Sequence, residues 1–319
     1  MSAEGGTKAV LAALSANLGI AAAKFVGFLI TRSSSMLAES IHSVADSGNQ
    51  VLLLAGQRHA ARPADEEHPF GYGRSRYIAG FLVAIVLFSV GGLFSVHEGV
   101  AKLRHPHELD SALVAIVILL VATALEGFSL RTAVAEARHV KGAASWWEFI
   151  HAARAPELPV VLMEDLAALV GLVFALAGIG LTIVTGDPVW DAVGTLAIGI
   201  LLLAVAVIVA VETQAMLVGE AATPAMVAAI RGALAESPHI TRVIHLRTLH
   251  LGPDELLVAA KIGMDVTLTL PAVAYAIDSA EARLRAAVPI ARRVYLEPDI
   301  AREADEPPVR AMNRPSAGR

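Results

Sequence analysis

Six long apolar segments constrain this chain more than any other feature of its sequence. Hydrophobic residues make up 55% of the chain and charged residues only 17%, a balance that is typical of membrane proteins with several spans. Each segment is long enough to cross, as a helix, a hydrocarbon core about 30 Å thick. The predicted transmembrane helices lie at 10–30, 36–55, 77–100, 112–130, 160–184 and 189–211. We therefore predict a polytopic α-helical membrane protein whose transmembrane domain with six spans covers residues 1–220.

The basic residues between these segments predict the orientation of the helices. Cytoplasmic loops of membrane proteins carry an excess of lysine and arginine. One side of the predicted bundle carries Lys8, Arg58, Arg62, Arg74, Arg76, Arg138, Lys141 and Arg154. The other side carries only Arg32, Lys102 and Arg104. Both termini are therefore predicted to be cytoplasmic, in the inner (cell) membrane if the source is bacterial.

The remainder of the chain reads as a small cytoplasmic domain over residues 221–300. Apolar spacing predicts helices at 224–236 and 271–287, and alternation predicts strands at 240–250, 256–264 and 292–297. This α-β-β-α-β order suits a two-layer α+β fold. The tail at 301–319 is rich in proline, arginine and glutamate, and we predict it to be disordered.

Two groups of ionisable residues lie within the predicted spans, where such groups usually mark a functional pathway. His42 and Asp46 are four residues apart, so they share one helix face and are able to ligate one divalent cation. Glu164 and Asp165 are adjacent in the fifth span, and their side chains point about 100° apart. The chain has no cysteine, which leaves histidine and carboxylates as metal ligands. A hydrogen bond between helices remains the alternative for His42 and Asp46. Hydration at the cytoplasmic interface remains the alternative for Glu164 and Asp165.

Charged residues elsewhere supply weaker candidates. Lys24, inside the first span, is predicted either to extend to the interface or to pair with a carboxylate. Asp65 and His68 lie in an acidic loop that suits a secondary metal site, although composition alone favours a solvated connecting loop. His245 and His250 are an odd number of positions apart on a predicted strand, which places them on opposite faces and favours a structural domain over a metal sensor.

Several motifs together resemble the cation diffusion facilitator family of metal transporters. They are the histidine and aspartate at 42 and 46, HPFGYGR at 68–74, DPVWD at 187–191, LVGEA at 217–221 and YLEPD at 295–299. The glutamate–aspartate pair at 164–165 resembles the branch of the family that includes the zinc transporter 9 type. The resemblance implies a homodimer with six spans per protomer and a ferredoxin-like cytoplasmic domain. It also implies a tetrahedral transport site between the second and fifth spans, where a divalent metal is exchanged for protons.

The resemblance places the transport ligands at His42, Asp46 and Asp165. The family's remaining ligand falls on Val161, which cannot bind a metal, and Glu164, Glu126 or water is the candidate substitute. The resemblance thus predicts a divalent metal efflux transporter, with Zn²⁺ and protons as substrates and Mn, Fe, Co and Ni as open alternatives. It predicts no enzymatic activity, no cofactor and no nucleic-acid partner. A membrane-embedded metal-dependent hydrolase or a metal sensor is the competing hypothesis.

Overall fold

A computed structural model of the protein describes residues 3–106, 111–143 and 145–300, with side chains from residue 17 onward except at residue 152. Contacts divide the chain into two compact units, Met1–Val218 and Gly219–Arg319. The predicted disordered tail at 301–319 lies outside the described residues.

The regular secondary structure of the first unit is helical throughout its described residues. A π-helical segment at Leu87–Leu93 lies between two of its α-helices. The α-helices are α1 (Ala3–Thr31), α2 (Ser34–Ala60), α3 (Ser75–Val86), α4 (Phe94–Arg104), α5 (Ala112–Lys141), α6 (Trp146–Ala152), α7 (Glu157–Thr185) and α8 (Val189–Val218).

Every predicted span coincides with helical structure, and four segments of the described chain are long and apolar enough to cross a membrane. These segments are Ser75–Arg104, Ala112–Lys141, Glu157–Thr185 and Val189–Val218. The predicted span at 36–55 lies inside α2. This helix is continuous, but polar residues interrupt its apolar sequence. The predicted span at 10–30 lies inside α1, and the part of α1 from Asn17 to Thr31 is an apolar helical stretch.

The helices of this unit approach closely where glycines face one another. A Cβ at Gly178 of α7 would lie 2.9 Å from the carbonyl oxygen of Trp190, and a Cβ at Gly194 of α8 would lie 2.9 Å from that of Phe174. Only residues without side chains fit here, so the two backbones are in direct contact. Small residues serve this purpose in membrane helices, where burial of apolar surface does not by itself favour helix association.

The second unit packs two helices on a three-stranded sheet. Its elements are α9 (Pro224–Ala235), β1 (Ile240–Gly252), β2 (Glu255–Met264), α10 (Leu270–Ala287) and β3 (Arg293–Ile300). The strand order is β1-β2-β3, with β2 antiparallel to β1 and parallel to β3. The predicted α-β-β-α-β order is confirmed. Alternate residues of β2, among them Leu256, Val258 and Ile262, are buried against Leu234 and Leu284 of the helices.

Candidate metal centre

An acidic cavity lies between α1, α2, α5 and α7. Four carboxylates line it, together with the amides of Asn17 and Gln50, the hydroxyl of Ser43 and the side chain of Val161. The carboxylates are Asp46, Glu126, Glu164 and Asp165. The three predicted ligands Asp46, Glu164 and Asp165 therefore share one cavity, and Glu126 contributes a carboxylate from a further helix.

His42 adjoins this cavity through Asp46. Its Nδ1 lies 3.4 Å from Oδ1 of Asp46, one helical turn away, as the spacing predicts. His42 is buried, and within the described residues neither of its ring nitrogens has a hydrogen-bond partner; the same is true of Oδ1 of Asp46. Buried polar atoms are almost always hydrogen-bonded, so unpartnered atoms call for an explanation. A bound metal ion would supply one, because imidazole nitrogens and carboxylate oxygens are ordinary metal ligands.

The adjacent carboxylates of α7 point to different helices. Glu164 is buried and accepts a hydrogen bond of 2.6 Å from Nδ2 of Asn49 on α2. Asp165 accepts one of 2.9 Å from Oγ of Ser129 on α5. This divergence matches the angle of about 100° between neighbouring helical residues. Sequence reasoning missed both partners, although Asn49 follows Asp46 by three positions and thus continues the polar face of α2.

The ligands do not converge on one point. Within the described parts of the chain, no three histidine, aspartate or glutamate side chains lie close enough together to hold a metal ion. Glu164 and Asp165 are held by Asn49 and Ser129, while His42 and Asp46 contact each other. A tetrahedral site formed from both pairs requires α2 and α7 to move relative to each other or these side chains to rotate.

A second buried carboxylate fixes the beginning of α2. Oδ2 of Asp191 on α8 accepts a hydrogen bond from the backbone N–H of Ser34 at 2.8 Å, and Oδ1 accepts one from that of Ser35 at 3.4 Å. The hydroxyls of Ser33, Ser34 and Ser35 also donate to this carboxylate. The first backbone N–H groups of a helix have no partner within the helix, and they carry partial positive charge. Asp191 therefore supplies from another helix the anion that the first turn of α2 lacks.

The loop site predicted at Asp65 and His68 is occupied by contacts within the loop. Oδ1 of Asp65 accepts the backbone N–H of His68 at 2.7 Å, and Oδ2 accepts the hydroxyl of Tyr72 at 2.6 Å. The hydrogen bond from Tyr72, followed by that from His68, holds the pKa of Asp65 below its usual value. The carboxylate stays ionised, but each of its oxygens already has a donor.

The histidines of β1 differ in environment as their odd separation predicts. His250 is buried, whereas His245 is exposed at a surface groove beside Glu281 and Glu297.

Comparison with known proteins defines the class to which this transmembrane unit belongs. Residues 10–218 match the family described as the cation efflux transmembrane domain. The match covers well over half of the chain, so the protein belongs to the cation efflux family and is an integral membrane protein.

Individual members of the family show which transporters the chain is similar to. The chain is 34% identical, over 76% of its length, to the mitochondrial proton-coupled zinc antiporter SLC30A9 of Xenopus laevis, and 33% identical over the same share to that of Homo sapiens. It is 31% identical, over 67% of its length, to metal tolerance protein C4 of Arabidopsis thaliana. The aligned parts cover 44%, 43% and 47% of these relatives, so the chain spans less than half the length of each.

Proposed function

We propose that this protein moves divalent metal cations, Zn²⁺ foremost, across a membrane in exchange for protons. The observation that carries the proposal is the cavity between α1, α2, α5 and α7, which collects four carboxylates inside the transmembrane unit. Membership of the cation efflux family supports transport over the alternative of a membrane-embedded hydrolase. The names of the zinc antiporter relatives support Zn²⁺ and protons as the two substrates.

The physical requirement for transport is that anionic ligands replace the water of the ion. A bare divalent cation in a medium of low dielectric constant is prohibitively costly, and carboxylates remove much of that cost by neutralising its charge. Asp46 and Asp165 are the proposed anionic ligands and His42 the proposed nitrogen ligand. Glu164 and Glu126 both line the cavity beside Val161, and we assign the fourth position to Glu164 because it is the more deeply buried.

Proton exchange follows from the chemistry of these ligands. A metal binds deprotonated carboxylates and neutral imidazole, so each proton that binds His42 or a carboxylate competes with the metal. If the cavity opens alternately to the two sides, this competition links metal movement in one direction to proton movement in the other.

The proposed architecture is that of a homodimer with six spans per protomer. In it α1 and α2 cross the membrane together with the four apolar segments, and both termini lie in the cytoplasm. The membrane is the cell membrane if the protein is bacterial. The second unit is a ferredoxin-like domain with a structural role, which the burial of His250 and the sheet order support.

Flux measurements in liposomes test the proposal directly. The purified full chain is reconstituted, and uptake of Zn, Mn, Fe, Co and Ni is followed with and without a pH gradient. We expect Zn²⁺ uptake that a pH gradient drives and that collapses with a protonophore. Metal-dependent hydrolysis without any flux would instead establish the competing function.

Replacing His42 by aspartate is expected to preserve transport but to shift its selectivity. An oxygen ligand in place of nitrogen favours harder cations, so the rate for Mn²⁺ relative to Zn²⁺ should rise, by roughly tenfold if His42 binds the metal directly. Relative uptake rates across the metal panel measure this shift. The matched control is His105→Asp, at an exposed residue just after α4, which should leave the ratio unchanged. An unchanged ratio in His42→Asp would remove His42 from the ligands.

Isosteric amide substitutions distinguish the roles of the two carboxylates of α7. Asn and Gln retain a carbonyl oxygen, so the hydrogen bonds from Ser129 and Asn49 survive and only the charge is lost. We expect Asp165→Asn to reduce Zn²⁺ flux more than about 100-fold, beyond the range of about 10- to 100-fold for residues that only orient ligands. We expect Glu164→Gln to slow flux and to flatten its dependence on pH. If Glu164→Gln changes neither, water takes the fourth position, and the ligands are His42, Asp46 and Asp165.

A further inference from the structure

A buried ion pair beside the acidic cavity has no role in the mechanism described so far. Nζ of Lys24 on α1 lies 3.1 Å from Oε2 of Glu39 on α2 and donates a hydrogen bond of 2.8 Å to Oγ of Ser43. Both side chains of the pair are fully buried. The contact confirms that Lys24 pairs with a carboxylate. Burying two charges costs more than packing apolar residues of the same size, so stability alone is a weak reason for the pair.

The same carboxylate touches a third helix. A Cβ built at Gly171 of α7 would lie only 2.5 Å from Oε1 of Glu39, and its other contacts would be ordinary. Nζ of Lys24 holds the other oxygen, Oε2, at 3.1 Å, so the carboxylate turns away from a new Cβ only by giving up or stretching this contact. Gly171 is therefore the residue that allows α7 to approach α2 at this level.

The positions of these residues connect the contact to the candidate ligands. Glu39 precedes His42 by three residues and Asp46 by seven, so it lies on the same face of α2. Gly171 follows Glu164 by seven residues and Asp165 by six. About two turns of α7 thus separate the contact from Glu164 and Asp165, and about one to two turns of α2 separate it from His42 and Asp46. Helices transmit displacement over that length with little bending.

We propose that Lys24, Glu39 and Gly171 set the separation of α2 and α7, and thereby the size of the metal site and its choice among divalent cations. The three are positioning residues, and none of them needs to touch the metal. Lys24 also neutralises Glu39, which keeps this carboxylate from competing with Asp46 for the cation. The role in metal selection rests on the proposed transport function, whereas the role in helix separation does not.

A double-mutant cycle tests the contact between Glu39 and Gly171. Gly171→Ala introduces the Cβ that meets Glu39. Glu39→Asp shortens the carboxylate by one methylene, a reach of about 1.5 Å, and so makes room for it. We expect Gly171→Ala to raise the KM for Zn²⁺ at least about threefold and to change the Zn²⁺ to Mn²⁺ rate ratio, and we expect Glu39→Asp to restore both in the double variant. Gly180→Ala is the matched control, because a Cβ at Gly180 of the same helix meets nothing within 4 Å.

A distance measurement provides a readout that does not depend on transport. The chain has no cysteine, so spin labels attach only at the introduced pair Val44→Cys and Val173→Cys, two exposed positions on α2 and α7. We expect Gly171→Ala to lengthen the distance between the labels by about 1 Å, the gap between 2.5 Å and an ordinary contact. Glu39→Asp should reverse this change.

The outcomes separate this inference from the proposed function. If Gly171→Ala behaves like Gly180→Ala in label distance, KM and metal ratio, the positioning role is wrong. It is also wrong if Glu39→Asp adds a second defect in place of a rescue. If the unmodified protein moves no metal but the distances respond as expected, the transport function fails and the helix contact stands.

Discussion

Replacing Asp46 by asparagine is expected to abolish metal transport. Asp46 lines the acidic cavity, and its Oδ1 is buried without a hydrogen-bond partner among the described residues. The substitution preserves size and removes only the charge that the cation requires in a medium of low dielectric constant. We expect the Zn²⁺ flux of the reconstituted protein to fall more than about 100-fold. The protein should remain folded, because no hydrogen bond of the described structure depends on this charge.

The matched control for Asp46→Asn is Glu136→Gln. Glu136 is an exposed carboxylate on α5 that does not line the cavity, so its loss removes the same charge from the transmembrane unit at a different place. Flux should stay within about twofold of the unmodified protein, since exposed charges contribute little. Full transport by Asp46→Asn would show that this carboxylate does not bind the cation.

Removing the carboxylate of Asp191 is expected to have the largest effect on stability. Asp191→Ala removes the acceptor that two backbone N–H groups and three serine hydroxyls share at the beginning of α2. It also removes the nearest negative charge from the buried Lys102, whose Nζ lies 3.9 Å away. Breaking a buried charge pair by removing one partner typically costs roughly 3 to 5 kcal/mol. Thermal unfolding in detergent should therefore occur at a clearly lower temperature.

Asp187→Ala provides the comparison for Asp191→Ala. Asp187 lies four residues earlier, is exposed, and accepts a hydrogen bond of 3.0 Å from the backbone N–H of Val189 at the beginning of α8. A local cap of this kind contributes about 1 kcal/mol. Equal decreases in unfolding temperature in the two variants would mean that the contact between α8 and α2 adds no stability beyond local capping. The unfolding temperature of Asp191→Asn, which keeps one acceptor oxygen, should lie between those of the two alanine variants.

The sequence predicts those features that depend on neighbours along the chain. Hydropathy over a window of about twenty residues places the helices, because a membrane span depends on its own composition. The contact between His42 and Asp46 follows from a spacing of four, which any α-helix converts into proximity. The divergence of Glu164 and Asp165 follows in the same way from their adjacency.

Contacts between distant helices lie beyond this kind of reasoning. Asn49 and Glu164 are 115 residues apart, and nothing in either segment states which helix the other faces. For Lys24 the sequence leaves extension to the interface and pairing with a carboxylate both open, and it does not single out Glu39, since the rotation of α1 about its axis is set by packing. The role of Asp191 was missed for the same reason. A polar residue in an apolar helix indicates that a partner exists and leaves its identity open.

The hydrogen bonds of Asp191 also bear on the order in which the protein is made. Ser34 and Asp191 are 157 residues apart, and ribosomes add about 5 to 20 residues per second, so roughly 8 to 30 s separate the synthesis of the two ends. Throughout this interval α2, which carries the polar face of the candidate metal site, begins without the anion that satisfies its first turn. Its final placement therefore awaits the last helix of its unit. The candidate metal centre is therefore completed late in biogenesis, and a chain interrupted before α8 lacks the anchor of α2 even though every proposed ligand has already been made.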